Sequence, residues 1–449
     1  MCDLLVAMPD ATGEGRIVFG KNSDRPAGEC QVLHFGPVRT QRAGSAVKCS
    51  YVKVPDSEST LATLGCRPYW CWGYETGLNE AGVVGGNAAV FTRAGRRTRV
   101  GAKPGLTGME LLRFGLERGG TAEYAVEAIV ELLERYGQWG SAVRGKKHSE
   151  GSYENSFLLA DRREAWVLET AGRRWAAERV SEGIRTVSNE LTIRRRWDKA
   201  SPDLFKHAVG SRWWGEADGD LDFAYAYSDH EGYPRQVAHI RRMRTHDLLK
   251  RNAGSIDEQT AMEVLRDHYE GSFLGGPQFS RYLPDFHTVC MHDSPAGFTW
   301  GDTATSVVVA LDLDRDDPPL MWTAYLPPCS SVYLPFAFSE SLPDMVTRAG
   351  AAGLGSRRPA SAKPDRFDKD SLWWRLHRVV KAAAERPFKR VPELRSVLDP
   401  LEEQLVRRVR RDTQRRLSFD PGEWNDMVSA ELSKLLPVLD DLEHKWRRE

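Results

Sequence analysis

The first twenty-four residues constrain the chain more than any other stretch. Residues 1–8 and 16–24 form two largely apolar runs rich in strand formers, separated by Pro9, Asp10, Gly13 and Gly15, which supply turn chemistry. The segment therefore reads as a β-hairpin. With residues 9–15 as the loop, strands 2–8 and 16–22 pair antiparallel, and position 2 faces about position 22. Position 2 is a cysteine, and Lys21, Asn22 and Asp24 gather beside it.

Cysteine is small enough that removal of the initiator methionine is expected, which leaves Cys2 with a thiol and a free α-amine. The α-amine has a reference pKa of about 7.7–8.0 and the thiol about 8.5. Near neutral pH the amine takes the thiol's proton, directly or through a water, so nucleophile and base are one residue. Lys21 as a neighbouring cation favours thiolate, and Asp24 is placed to orient the ammonium.

Several blocks resemble the secernins and their dipeptidase relatives, a branch of the N-terminal-nucleophile hydrolases that includes penicillin V acylase and bile-salt hydrolase. They are Cys2-Asp3 with its apolar strand, Gly20-Lys21-Asn22-Ser23-Asp24-Arg25-Pro26, Arg67-Pro68-Tyr69-Trp70-Cys71-Trp72-Gly73, and Gly77 through Asn87. Glu164 through Gly172, Trp175-Ala176-Ala177-Glu178 and the Cys290-Met291 block continue the series in order. The resemblance implies a four-layer αββα sandwich of the α+β class, cysteine-type amide or peptide hydrolysis, and no cofactor. It also implies an oxyanion-hole asparagine in the second block, where Asn87 fits better than Asn79, and an asparagine ending a later strand, which Asn189 matches better than Asn155. Acylase members of the family have arginine where Lys21 stands, and lysine cannot make a planar bidentate contact.

Asn87 follows two glycines in a strand, and glycines there weaken pairing unless a ligand or another backbone comes close. An amide at that point can donate to the oxygen that turns negative when a thiolate attacks a carbonyl. Trp70, Trp72 and Tyr74 cluster after Pro68 and are expected to wall an apolar substrate pocket. Gly108–Arg118 and a helix capped by Thr121 and ended at Gly137 show helical stripes. The Gly- and Lys-bearing segment 139–152 reads as a surface loop with the makings of a lid.

Sixty-three basic residues balance sixty-three acidic ones. No overall field attracts nucleic acid or anionic lipid, and no run of apolar residues is long enough to span a membrane. Residues 1–8 lack the charge and length of a signal peptide. Seven unpatterned cysteines suit a reducing cytoplasm. Cys66 and Cys71 do not form a zinc spacing, and His287, Cys290 and His292 fit neither a helix face nor a strand face, so no metal site is expected.

The organisation expected is a hydrolase domain over 1–353 with a capping excursion at 195–285, a linker at 354–368 and a helical extension over 369–449. The extension's stripe of Leu394, Val397, Leu401, Leu405 and Val409 faces the body or a second copy, so homo-oligomerisation through these helices is one expectation. The substrate expected is a small peptide or acyl-amide, cleaved through a Cys2 thioester. An acyltransferase using the same thioester and a non-catalytic, secernin-like regulator are the alternatives.

Overall fold

Residues Cys2–Ala7 form a strand paired antiparallel on both sides, with Ile17–Arg25 and with Ile184–Val187. In the computed structural model the residues described are 1–40, 44–98, 103–232, 235–275, 287–293, 301–315, 318–355, 358–415, 417 and 420–449. Residues 233–234 and 276–285 of the expected excursion, Phe286, residues 356–357 of the expected linker, and 416 and 418–419 of the extension lie outside them.

Two antiparallel sheets face each other. One runs Ile184–Val187, Cys2–Ala7, Ile17–Arg25, Asp302–Leu311, Met321–Tyr325, Leu334–Phe336. The other runs Lys199–Ala200, Arg174–Val180, Ala165–Ala171, Glu154–Ala160, Val84–Val90, Thr76–Asn79, Thr63–Pro68, Gln31–Gly36. The inner strands of both are buried on both faces, which is why they read as continuous apolar runs without strict alternation.

Helices cover the outer faces. Gly108–Arg118 and Ala122–Tyr136 lie on the larger sheet, each opened by a threonine cap, Thr107 with a full capping box and Thr121 bonded to Tyr124 N. Arg235–Arg251 and Glu258–Leu265 lie on the smaller sheet. The architecture is a four-layer αββα sandwich, as expected. Within the stretch 195–285 expected to cap the sandwich, the helices Arg235–Arg251 and Glu258–Leu265 instead form the fourth layer. The short hairpin Ala46–Lys48 and Lys53–Pro55 stands apart from the main sheets.

The C-terminal helices Leu372–Ala384, Pro387–Gln414 and Pro421–Arg448 pack on the far edge of the smaller sheet. Trp373 Nε1 donates to Ala304 O at 3.3 Å, Trp424 Nε1 to Pro335 O at 2.8 Å, and Tyr333 N to Glu402 Oε2 at 2.8 Å. Leu394, Leu401, Leu405 and Val409 are buried in one core with the sandwich, so most of the stripe serves the chain's own body. Gly355 N bonds Tyr69 O, and Gly145 N bonds Pro359 O, which ties the linker segment to the body at two points.

Glycine decides how closely the sheets approach over the first strand. A methyl added at Gly86 would lie 2.5 Å from Lys21 Cδ and 3.0 Å from Leu4 Cδ2. The missing side chain is thus the space through which Lys21 crosses between the sheets. Gly86→Ala is expected to cost about 1–3 kcal/mol through overpacking. Urea unfolding measures it, and an unchanged midpoint would show that Lys21 moves aside freely.

Candidate active site

Pairing places Cys2 opposite Ser23, Asp3 opposite Asn22 and Leu4 opposite Lys21. The register is one residue beyond the expected facing of 2 and 22, because a short 3-10 turn at Pro9–Ala11 shapes the connection. A one-residue shift exchanges strand faces. Ser23 and Lys21 consequently share the face of Cys2, toward the larger sheet. Asn22 shares the face of Asp3, and its Nδ2 donates to Leu265 O and Val289 O, both at 2.8 Å.

A cavity of about 240 Å³ opens beside Cys2. Its polar lining comes from Cys2, Asp24, Arg25, Glu75, Asn87 and Asn189, and its apolar wall from Met1, Phe91, Val143 and Tyr153. Four of the five expected catalytic residues border it, and the fifth, Lys21, is fully buried behind them.

Lys21 Nζ donates to Glu75 O at 2.6 Å and Ser23 Oγ at 2.9 Å, and lies 3.4 Å from Glu75 Oε2. Glu75 Oε1 stands 3.1 Å from Arg25 Nη1, and Arg25 Nε is 2.5 Å from Glu29 Oε2. Burial pushes the Cys2 thiol up, while Lys21 and the chain's terminal ammonium pull it down. Burial pulls the Met1 terminal amine below its ordinary range.

Asn189 meets residue 2 through its oxygen. Cys2 N donates to Asn189 Oδ1 at 3.0 Å, and Arg241 Nη2 donates to the same oxygen at 2.7 Å. Guanidinium only donates, so the orientation of the amide is fixed by its neighbour. Asn189 Nδ2 is engaged with Ala89 O at 2.8 Å. Both ends of the Asn189 amide are thus engaged, and its oxygen holds the nitrogen of residue 2.

Asn87 borders the cavity, but its Nδ2 donates to Asn155 Oδ1 at 3.0 Å, and Asn155 Nδ2 donates to Gln138 Oε1 at 2.9 Å. Its main-chain N–H donates to Glu75 O at 3.4 Å.

Asp24 O accepts from the terminal amine at 3.2 Å, Asp24 N donates to Met1 O at 2.9 Å, and Asp24 Oδ1 accepts from Thr303 Oγ1 at 2.8 Å. Burial pushes the Asp24 carboxyl up to about 6, against the pull of the terminal ammonium and Arg241.

Trp70, Trp72 and Tyr74 do not line this cavity, which corrects the expected aromatic wall. Trp70 Nε1 donates to Glu29 Oε1 at 2.9 Å, one ion pair behind Arg25. Trp72 and Tyr74 sandwich the Arg113 guanidinium, at 4.2 and 4.6 Å from their rings. The helix Gly108–Arg118 carries Arg113, so these aromatics serve the outer packing. Phe91 and Tyr153 take the wall position instead; Tyr153 follows the loop 139–152, and Val143 and Gly151 of that loop border the cavity too.

Arg25, Glu75 and Arg241 were not singled out from the sequence. Arg241 sits in a helix whose Arg-rich pattern hides which arginine turns inward, yet it is fully buried.

Residues 69–267 match the model of Peptidase family C69. The matched region includes Glu75, Asn87, Asn155, Asn189 and Arg241; Cys2, Lys21 and Asp24 precede it and reach it through sheet pairing and the cavity. Solved structures similar to the chain include a mutant of conjugated bile acid hydrolase from Clostridium perfringens, at 14% identity over 72% of this chain and 89% of that one, TM-score 0.39. Another is a Caenorhabditis elegans ortholog of N-acylethanolamine-hydrolyzing acid amidase, at 13% identity over 68% of this chain and 92% of that one, TM-score 0.34.

Asp3 is buried and ion-paired with Arg241, and Ser188 Oγ donates to Asp3 Oδ1 at 2.7 Å. Removing one partner of such a pair strands a buried charge. Arg241→Met is expected to cost about 3–5 kcal/mol in urea unfolding, with part of it recovered in Arg241→Met/Asp3→Asn. Equal stability of the single and double variants would show that Asp3 does not depend on Arg241.

Proposed function

We propose that the chain is an N-terminal cysteine hydrolase that cleaves the amide or peptide bond of a small linear substrate through a Cys2 thioester. The observation that carries this reading is the convergence, on one cavity, of Cys2, the Asn189 oxygen bonded to its nitrogen and Asp24, with Lys21 buried behind them. The family match supports hydrolysis of this bond class.

Met1 lines the cavity and is buried. Its excision therefore precedes folding of the first strand, and the mature cavity gains the volume that Met1 fills. Cys2 N then becomes the α-amine, with Asn189 Oδ1 as its acceptor. The amine removes the thiol proton, and Sγ attacks the substrate carbonyl. The oxygen that becomes negative is stabilised by an N–H donor at the cavity; one such donor is typically worth about 2.7–4 kcal/mol. The protonated amine hands its proton to the leaving amine as the thioester forms, and the same amine then activates the water that releases the acid. Phe91, Val143 and Tyr153 suit an apolar substituent next to the scissile carbonyl. The protein acts in the cytoplasm, where its thiols stay reduced; among the described residues no helix is long and apolar enough to cross a membrane.

A panel of dipeptides and acyl-amides tests the reading. Turnover is expected for wild type and loss to background for Cys2→Ala, while kcat/KM falls as pH drops through about 6, where Asp24 protonates. Asp24→Asn should lack that inflection. Equal turnover by Cys2→Ala would overturn the reading, and product diverted to an added amine acceptor would assign acyl transfer.

A further inference from the structure

Four side chains from three separate segments meet on the opposite side of Thr303 from the cavity. They are His268, just past the helix Glu258–Leu265; Cys290 and His292; and Cys329, in the 3-10 turn Pro328–Ser330. One ligand atom from each lies within 4.8 Å of all the others. His292 Nε2 stands 3.0 Å from His268 Nε2, 3.2 Å from Cys329 Sγ and 3.7 Å from Cys290 Sγ. An imidazole nitrogen has either one hydrogen or one lone pair, so it cannot satisfy three neighbours at once by hydrogen bonding. A cation at their centre satisfies all four.

The spacing fits a tetrahedron. Zinc bonds of about 2.0–2.1 Å to nitrogen and 2.3 Å to sulfur put ligand atoms about 3.3–3.8 Å apart. His268 is also oriented for ligation: its Nδ1 lies 3.2 Å from Glu270 Oε1, and its main-chain N donates to Glu270 Oε2 at 2.6 Å. A carboxylate on Nδ1 fixes the tautomer that leaves the Nε2 lone pair for a metal. Two thiolates and two imidazoles favour zinc among the common divalent ions.

We infer that His268, Cys290, His292 and Cys329 bind one Zn2+ in a closed, structural Cys2His2 site. Four protein ligands leave no open position for substrate or water, and three of the four are buried. Both thiols lose their protons on binding, so the site becomes neutral overall and two protons are released. The consequence reaches the catalytic face. Met291, between two ligands, exchanges bonds with Thr303, N to Oγ1 at 3.0 Å and O from Thr303 N at 2.9 Å. Thr303 Oγ1 in turn holds Asp24 at 2.8 Å. The metal pins the segment that braces Asp24. No Cys-x-x-Cys announces the site, because its ligands are spread from 268 to 329.

Elemental analysis of the purified full-length protein tests this. One zinc per chain is expected in wild type and in Cys2→Ala alike, so the result is independent of the proposed hydrolysis. Cys329→Ser and His268→Gln should lose the metal. Glu270→Gln should keep it at excess zinc but bind it roughly 10–100-fold more weakly. Should either ligand variant fail to fold, wild type stripped with a chelator and refilled with Co2+ gives the second readout: the intense visible bands of tetrahedral cobalt with thiolate charge transfer, and a raised Tm. Zinc content unchanged in the ligand variants would mark adventitious binding. Stripped protein that takes up neither ion, or a Cys290–Cys329 disulfide found in fresh protein by non-reducing peptide mapping, would overturn the assignment.

Discussion

The structure depends on the strand Cys2–Ala7 being paired along both edges. An N-terminus is ordinarily the loosest part of a chain; here ladders to Ile17–Arg25 and Ile184–Val187 place it inside a six-stranded sheet. The Met1 amine and the Cys2 thiol therefore both sit in a medium that disfavours their charged forms.

Holding charges in such a place requires that they be matched. Lys21 has three N–H donors and finds acceptors in Ser23 Oγ, Glu75 O and Glu75 Oε2. Glu75 is shared with Arg25, Arg25 with Glu29, and Asp3 with Arg241. The resemblance implies arginine in place of Lys21, whose planar fork would demand a bidentate partner. A tripod of acceptors around a point charge is the lysine solution to the same position. Gly86 completes it by leaving the path that the lysine stem follows. On the outer side Arg241 joins three functions in one guanidinium, bonding Asp3, Cys2 O and the Asn189 oxygen.

Local rules made much of this legible. Turn residues and apolar runs gave the opening hairpin, and the threonine caps gave the helices Gly108–Arg118 and Ala122–Tyr136. Cys2, Asp24, Asn87 and Asn189 converge as the motif order suggested. What escaped were properties that only tertiary placement decides. The register moved by one because a short turn sets it. Trp70, Trp72 and Tyr74 looked like a pocket wall, yet the helix that brings Arg113 to Trp72 and Tyr74 draws those two to the outer packing. Helix Arg235–Arg251 carries charge on most faces, so its place as an outer layer was hidden. The His and Cys quartet is assembled from distant segments and has no local spacing to read.

The central claim is that the sulfur and the unblocked amine of one residue perform the acyl transfer. Acid quenching of the enzyme during turnover of a slow amide substrate, followed by mass analysis of its N-terminal peptide, tests it most directly. The account predicts a peptide that begins at Cys2 and carries the substrate's acyl group on sulfur, released by hydroxylamine. A peptide that still begins at Met1, or an acyl group found on any other residue, would contradict it.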